Sequence, residues 1–186
     1  KDAVIIDCSG KFIYPAFIDI YSDYGITVAN AQQQNFTSAA AFFRTQQLTS
    51  GTKGAYGWNQ ALKPETEAYK IFTADEAKAK ALRDIGFGSV LTHQKDGIAR
   101  GSGAFVTLAA QPDNFVILKD KASAHYSFSK GSSSQSYPGS MMGMIALLRQ
   151  TYLDAQWYKT NPVTEGVNLS LKNWNDNQSL PQIFEA

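Results

Sequence analysis

A chain of 186 residues with 44% apolar content can bury one sizeable core, and nothing in its composition argues for a disordered or fibrous class. Seventeen basic and sixteen acidic side chains leave a formal charge of +1 with no long block of either sign, which removes nucleic acid and anionic membranes from the expected partners. The lone cysteine, Cys8, excludes an intrachain disulfide and any Cys-Cys zinc motif, and reads as a small buried hydrophobe in a first strand. No apolar run reaches the ~18 residues of a membrane span, and no signal peptide is visible. Because the first residue, Lys1, already lies in a strand-like run, the sequence is expected to be an excerpt of a longer chain.

Residues 2–7 and 11–14 alternate or run apolar on either side of Ser9-Gly10, the pattern of a β-hairpin. Pro15 then breaks the chain, and the apolar run 17–20 reads as a buried strand that ends in the polar cluster Tyr21-Ser22-Asp23 before Gly25. In a barrel of parallel strands, chemistry gathers at the carboxyl ends, so this cluster is the place for a site. Residues 26–65 are irregular and polar, with one short helix expected over 39–47 and two aromatics, Tyr56 and Trp58. Those two rings suit either an aromatic wall over a ligand or a cover of the barrel mouth or subunit contact.

Thr73-Ala74-Asp75-Glu76 opens a helix, by capping and early acidic residues, that runs to Gly86, and 88–92 is the strand after it; helix then strand at this spacing implies a βα repeat and a parallel sheet. The stretch 92–104 follows with Gly97, Gly101 and Gly103 and sets His93, Lys95, Asp96 and Arg100 close together. Its glycines fit either a backbone cradle for a phosphate or carboxylate or a tight turn into a strand over 104–109. Short strands are expected at 115–118 and 124–128, with His125 as a hydrogen-bonded structural residue. A long helix over 141–158 carries Met144, Leu147, Leu148, Thr151, Tyr152 and Ala155 on one side, a second helix covers 169–175, and a strand opens near Leu180.

The stretch Pro15-Ala16-Phe17-Ile18-Asp19 resembles the Pro-Gly-Phe-Ile-Asp turn at the start of the metal-dependent amidohydrolase superfamily, especially its imidazolonepropionase-like branch. Segments 54–65 and 137–158 are similar to the exported proteins of that branch, and 92–104 resembles the family's second-strand loop. The resemblance implies an α/β chain forming the first part of a (β/α)8 TIM-like barrel. Residues 1–15 would be a hairpin of a small composite β-domain, and 16–186 would carry barrel strands one to three with long loops. It implies hydrolysis of amide or cyclic amide carbon–nitrogen bonds by metal-activated water, with zinc or another divalent ion in the full-length protein and none in this chain. It also implies export to the periplasm, and the rest of the protein or another copy as partner.

Within that family a His-x-His after the first strand binds the metal; here Tyr21 and Asp23 hold those positions. A carboxylate and a phenol do not reproduce two imidazoles for zinc, and the two histidines of the chain cannot make a three-histidine site. Ser102 lacks the flanks of a nucleophile elbow, and Asp19 with Asp23 remains as a carboxylate pair. The expected substrate-binding set is His93, Lys95, Arg100, Tyr56 and Trp58. The chain alone is expected to be inactive. Two readings of the whole protein stand: a hydrolase, or a catalytically degenerate relative that binds a small molecule or a partner.

Overall fold

The computed structural model describes residues 7–27, 59–133, 135–161 and 168–185. Its elements are β1 (Phe17–Ser22), α1 (Ala68–Ile71), α2 (Glu76–Asp84), β2 (Phe87–Thr92), β3 (Ala99–Thr107), α3 (Asp113–Val116), β4 (Ile117–Ser127), α4 (Met141–Thr160), α5 (Leu169–Asn177) and β5 (Gln182–Glu185). The strands form one sheet in the order β1-β2-β3-β4-β5. β1 lies parallel to β2 and β4 parallel to β5, while β3 runs antiparallel to both its neighbours. Four strands therefore point one way, and their carboxyl ends share one edge with the start of β3.

The wholly parallel sheet expected from the helix–strand spacing is thus corrected at β3. Only residues 93–98 separate β2 from β3, and a parallel crossover needs about a dozen residues or more. The expected glycine loop is corrected with it: Arg100, Gly101, Ser102 and Gly103 lie inside β3, and the turn itself is made by Gly97 at φ 94°. Gly101 has φ 81°, and a Cβ there would stand 2.0 Å from the Thr66 carbonyl oxygen, so the strand can approach that segment only without a side chain.

The two strands expected at 115–118 and 124–128 are one, β4, with Phe115 in the short helix before it. At the amino end, Lys11 N donates to Cys8 O to close the Ser9-Gly10 turn, but residues 11–16 carry no strand and lie exposed. The expected hairpin is therefore absent from its described limb, while residues 1–6 fall outside the described residues. Cys8 is half-buried and outside any strand, not a core residue. The helix expected over 39–47 also falls outside the described residues.

Capping sets the helix starts. The Asp75 carboxylate accepts from the amides of Ala77 and Lys78, the Ser140 hydroxyl from Gly143, and the Asn168 carbonyl from Leu171. Two apolar clusters lie between helices and sheet. One joins Tyr24, Phe72, Ala79, Val90, Val106 and Val116; the other joins Leu62, Ile98, Ala124, Tyr126, Ala155 and Trp174, flanked by Met144, Leu147 and Leu148. Tyr152, expected on the packed side of α4, is 42% exposed.

Strand alternation turns Ala124 and Tyr126 toward the helices, and so puts Ser123, His125 and Ser127 on the opposite, inner face. That inner face is strongly curved. A flat sheet would hold β1 and β5 about 19 Å apart, four strand spacings. Yet the Arg100 guanidinium reaches Tyr21 on β1 at 3.3 Å and Glu185 on β5 at 2.5 Å. The sheet is a curled five-strand half-barrel.

Candidate functional site

Polar side chains from each strand, or from the residue just after it, meet on the inner face at the shared edge. β1 supplies Tyr21, the residue after β2 is His93, β3 supplies Arg100, β4 His125 and β5 Glu185. Register brings them together: His93 N donates to Ser22 O at 3.0 Å, Ala99 stands opposite Tyr126, and Ser127 stands opposite Glu185.

The two imidazoles stack face to face with centroids 3.6 Å apart and planes inclined by 9°. His93 is 0% and His125 2% exposed. His125 Nε2 lies 2.7 Å from Ser123 Oγ, so either the hydroxyl donates to a bare nitrogen or the ring N–H donates to the hydroxyl oxygen. Gly103 permits this arrangement, because a Cβ there would stand 2.7 Å from His125 Nε2 and 2.9 Å from Ser123 Oγ. Among the described residues, neither ring nitrogen of His93 has a hydrogen-bond partner. Burial, with His125, Arg100 and Lys95 adding to it, drops His93 to about 2; burial and then Arg100 drop His125 to about 4. Both rings are neutral at pH 7.

Tyr21 packs on His93 with centroids 5.1 Å apart. Its hydroxyl accepts from Arg100 Nη1, and the Lys95 ammonium stands 4.2 Å over its ring. Burial and the Glu185 carboxylate push the phenol up, while Arg100 pulls it down. The Tyr21 hydroxyl in turn holds the Glu185 carboxyl below its ordinary range, against burial and with help from Arg100. Arg100 Nε also donates to Gly97 O at 3.2 Å, which fixes the guanidinium at the tip of the turn.

Of the sequence-derived candidates, Tyr21, His93, Lys95 and Arg100 come together. Asp23 stands at their margin, its half-exposed carboxylate 3.8 Å from the Lys95 ammonium. The Asp19 carboxylate accepts from the Tyr21 amide at 2.9 Å, a local turn bond rather than half of a carboxylate pair. Ser102 stands opposite Ala124, on the helix-packed side, away from either imidazole. Asp96 is structural: burial alone would raise it, but the Lys63 ammonium and the Ser132 hydroxyl and amide outweigh that and lower it. Tyr56 and Trp58 lie outside the described residues.

His125 was expected to be hydrogen-bonded structure, and its bond to Ser123 is that; its stacking on His93 and the part played by Glu185 were not legible. Two cues were present. Ser123 and His125 are two apart on a strand and so share a face, and Glu185 sits at the carboxyl end of the strand opening near Leu180.

A divalent ion does not suit the Tyr21 position. The phenol oxygen already accepts from one cation, a second stands over its ring, and both would repel a metal there. Among the described residues, no three His, Cys, Asp or Glu side chains gather as a metal site.

The chain has the fold of one half of an amidohydrolase structure. A crystal structure of an amidohydrolase from Thermotoga maritima MSB8 superposes with a TM-score of 0.68 at 19% identity, covering 100% of this chain and 48% of that one. The chain thus spans about half the length of that neighbour. No protein-family model matches the sequence. No curated protein matches it either. Among the described residues, no helix is long and apolar enough to cross a membrane.

Proposed function

We propose that the whole protein is an amidohydrolase relative of the imidazolonepropionase-like kind, built on a (β/α)8 barrel and acting on carbon–nitrogen bonds of amides or cyclic amides. In this reading the present half supplies the wall that holds the substrate, and it is inactive alone. The observation that supports it is the gathering of Tyr21, His93, Arg100, His125 and Glu185 from all five strands at the edge where codirectional strands end. Open sheets and barrels bind their ligands at that edge because the loops there vary while the strands fix the geometry. Neutral imidazoles, a fixed guanidinium and a phenol can orient a polar carbonyl compound there.

No metal step is assigned to these residues, since the cations around Tyr21 oppose one. Zinc or another divalent ion, if the hydrolase reading holds, takes its ligands from elsewhere in the protein. The remainder of the same protein is the natural cover for the edges of the described sheet, where Phe17, Ile18 and Ile20 on β1 stand 55–66% exposed. Export belongs to this proposal only through the family likeness.

A second reading, a catalytically degenerate relative that binds a small molecule, is favoured by the same two cations at the family's metal position. Metal analysis of the full-length protein with a panel of amides and lactams separates the two. Turnover with stoichiometric metal supports the hydrolase; inert, metal-free protein that still binds a lactam overturns it.

A further inference from the structure

We infer that the outer face of α4 is a docking surface for a second copy of this chain, the two helices crossing on a two-fold axis beside Arg149. The surface lies on the convex side of the sheet, and the inference does not depend on the hydrolase reading.

α4 is apolar on both sides. Met144, Leu147, Leu148 and Ala155 pack against the sheet and Trp174 of α5. On the other side Met141, Ile145, Leu153 and Trp157 stand 49–62% exposed, and Met142 82%. A helix that is apolar all round is ordinarily covered all round. Five side chains of this size at those exposures leave on the order of 700 Å² bare, above the ~300–600 Å² of the largest patch on a typical monomer and close to the ~800 Å² each partner buries in a standard interface. Met141, Ile145, Arg149, Leu153 and Trp157 are spaced four apart, so they form one continuous ridge. Two such ridges interdigitating, at about −50°, make the commonest class of helix–helix contact. The ridge is balanced about Arg149, with two apolar residues at equal steps on either side. A two-fold axis there lays Ile145 against the second copy's Leu153 and Met141 against its Trp157, each contact occurring twice, which is the self-complementarity an isologous interface requires. Met, Trp and Arg are also the residues that interface cores favour, and the ridge carries no carboxylate and no lysine. Arg149 makes no ion pair among the described residues; at the crossing its methylene stem packs while its charge runs out to water at the rim. Two other occupants fit less well. Whatever completes the half-barrel joins the edges β1 and β5, whereas α4 lies over the outward-turned Ala124 and Tyr126 and points away from the concave side. A lipid surface selects basic helices, and this ridge has one cation on a chain of formal charge +1.

Sedimentation equilibrium of the full-length protein should show a dimer at micromolar concentration. Ile145→Asp combined with Leu153→Asp should weaken that dimer at least a hundredfold, with an unchanged far-ultraviolet circular dichroism spectrum to confirm that the variant folds. Arg149→Cys in a Cys8→Ser background keeps every apolar residue of the ridge and should form an intermolecular disulfide under mild air oxidation, because the axis sets position 149 opposite itself. Lys80→Cys, on the exposed side of α2, should not. Cross-linking decides the matter if the aspartate variant fails to fold. The protein is also spun with vesicles of phosphatidylcholine containing a quarter phosphatidylglycerol, and should stay in solution. A monomeric full-length protein would overturn the inference and give the face to a segment of the same chain. Vesicle binding that the two aspartates abolish would overturn it in favour of a lipid surface. A dimer that survives both aspartates, or an Arg149→Cys protein that stays uncross-linked, would overturn it as well. Amide turnover, present or absent, bears on the hydrolase proposal alone, so the two stand or fall separately.

Discussion

Acidification from pH 8 to pH 5 should cost the fold about 4 kcal/mol, and nearly all of it should come from two side chains. The unfolded chain titrates its histidines near 6.5. In the fold, burial holds His93 at about 2 and His125 at about 4, so between those values and 6.5 the unfolded state binds protons that the native state refuses. Stability therefore rises with pH across this window and is lost as pH falls below 6.5. At pH 5 each histidine contributes a loss of ~2 kcal/mol, because only the distance from 6.5 to 5 counts while both native values lie below 5. The sequence holds two histidines in all, which makes the window assignable. The lowered carboxyls of Glu67, Asp96 and Glu185 act only near and below their unfolded values of ~4, outside it. Urea unfolding followed by circular dichroism at pH 8, 7, 6 and 5 measures the loss directly. His93→Gln should remove about half of it, and His93→Gln with His125→Gln should flatten the curve above pH 5. A protein whose stability is level from pH 8 to pH 5, or a double variant that keeps the drop, would refute the claim that both imidazoles are buried and neutral.

Other substitutions test separate contacts. Gly101→Ala should cost at least about 2 kcal/mol in urea unfolding, since a side chain is strained at φ 81° and its Cβ would meet the Thr66 backbone oxygen at 2.0 Å. Asp96→Asn removes the charge that Lys63 and Ser132 surround, and should lower stability by roughly 1–3 kcal/mol, read from the thermal midpoint. Arg100→Gln should raise the Tyr21 phenol further, because Arg100 is what restrains it; an unchanged phenol in ultraviolet difference titration, read against a Tyr21→Phe control, would show that the contact is absent. Replacing Tyr21 and Asp23 together by His rebuilds the His-x-His pattern, yet zinc should bind weakly in calorimetry until Lys95→Ala is added, because the ammonium stays beside the site. Tight zinc in the double variant would refute the electrostatic argument.

The scaffold was legible where a local rule decided it. The capping stretch 73–76 followed by an alanine-rich run specified α2, and the apolar runs at 17–20 and 88–92 specified two parallel neighbours, β1 and β2, although the first, expected to be buried, is an edge strand with Phe17, Ile18 and Ile20 55–66% exposed. Direction failed at β3, where spacing between strands mattered more than the order of helix and strand, and only residues 93–98 were available to turn the chain. Gly101 and Gly103 misled for a related reason. A glycine required by a loop and one required because a neighbouring backbone or ring lies too close are identical in sequence, and here the neighbours, Thr66 and His125, are 35 and 22 residues away along the chain.

The site was half legible on the same logic. Tyr21, His93, Lys95 and Arg100 follow strand ends or a turn, positions that sequence marks. Pairing His93 with His125 depends on register across β3, shifted by irregularities between Ala99 and Ser102 and between Gly103 and Phe105, which no local pattern specifies. That register also bears on the chemistry. It sets a guanidinium between Tyr21 and Glu185, so the strand end that would hold a metal in the resembling family is instead bound into a network of opposite charge preference. Tyr21 here is tied to Arg100, to the Lys95 ammonium and to the Glu185 carboxylate, so the end of β1 is held in place by partners drawn from β3, β5 and the turn between β2 and β3.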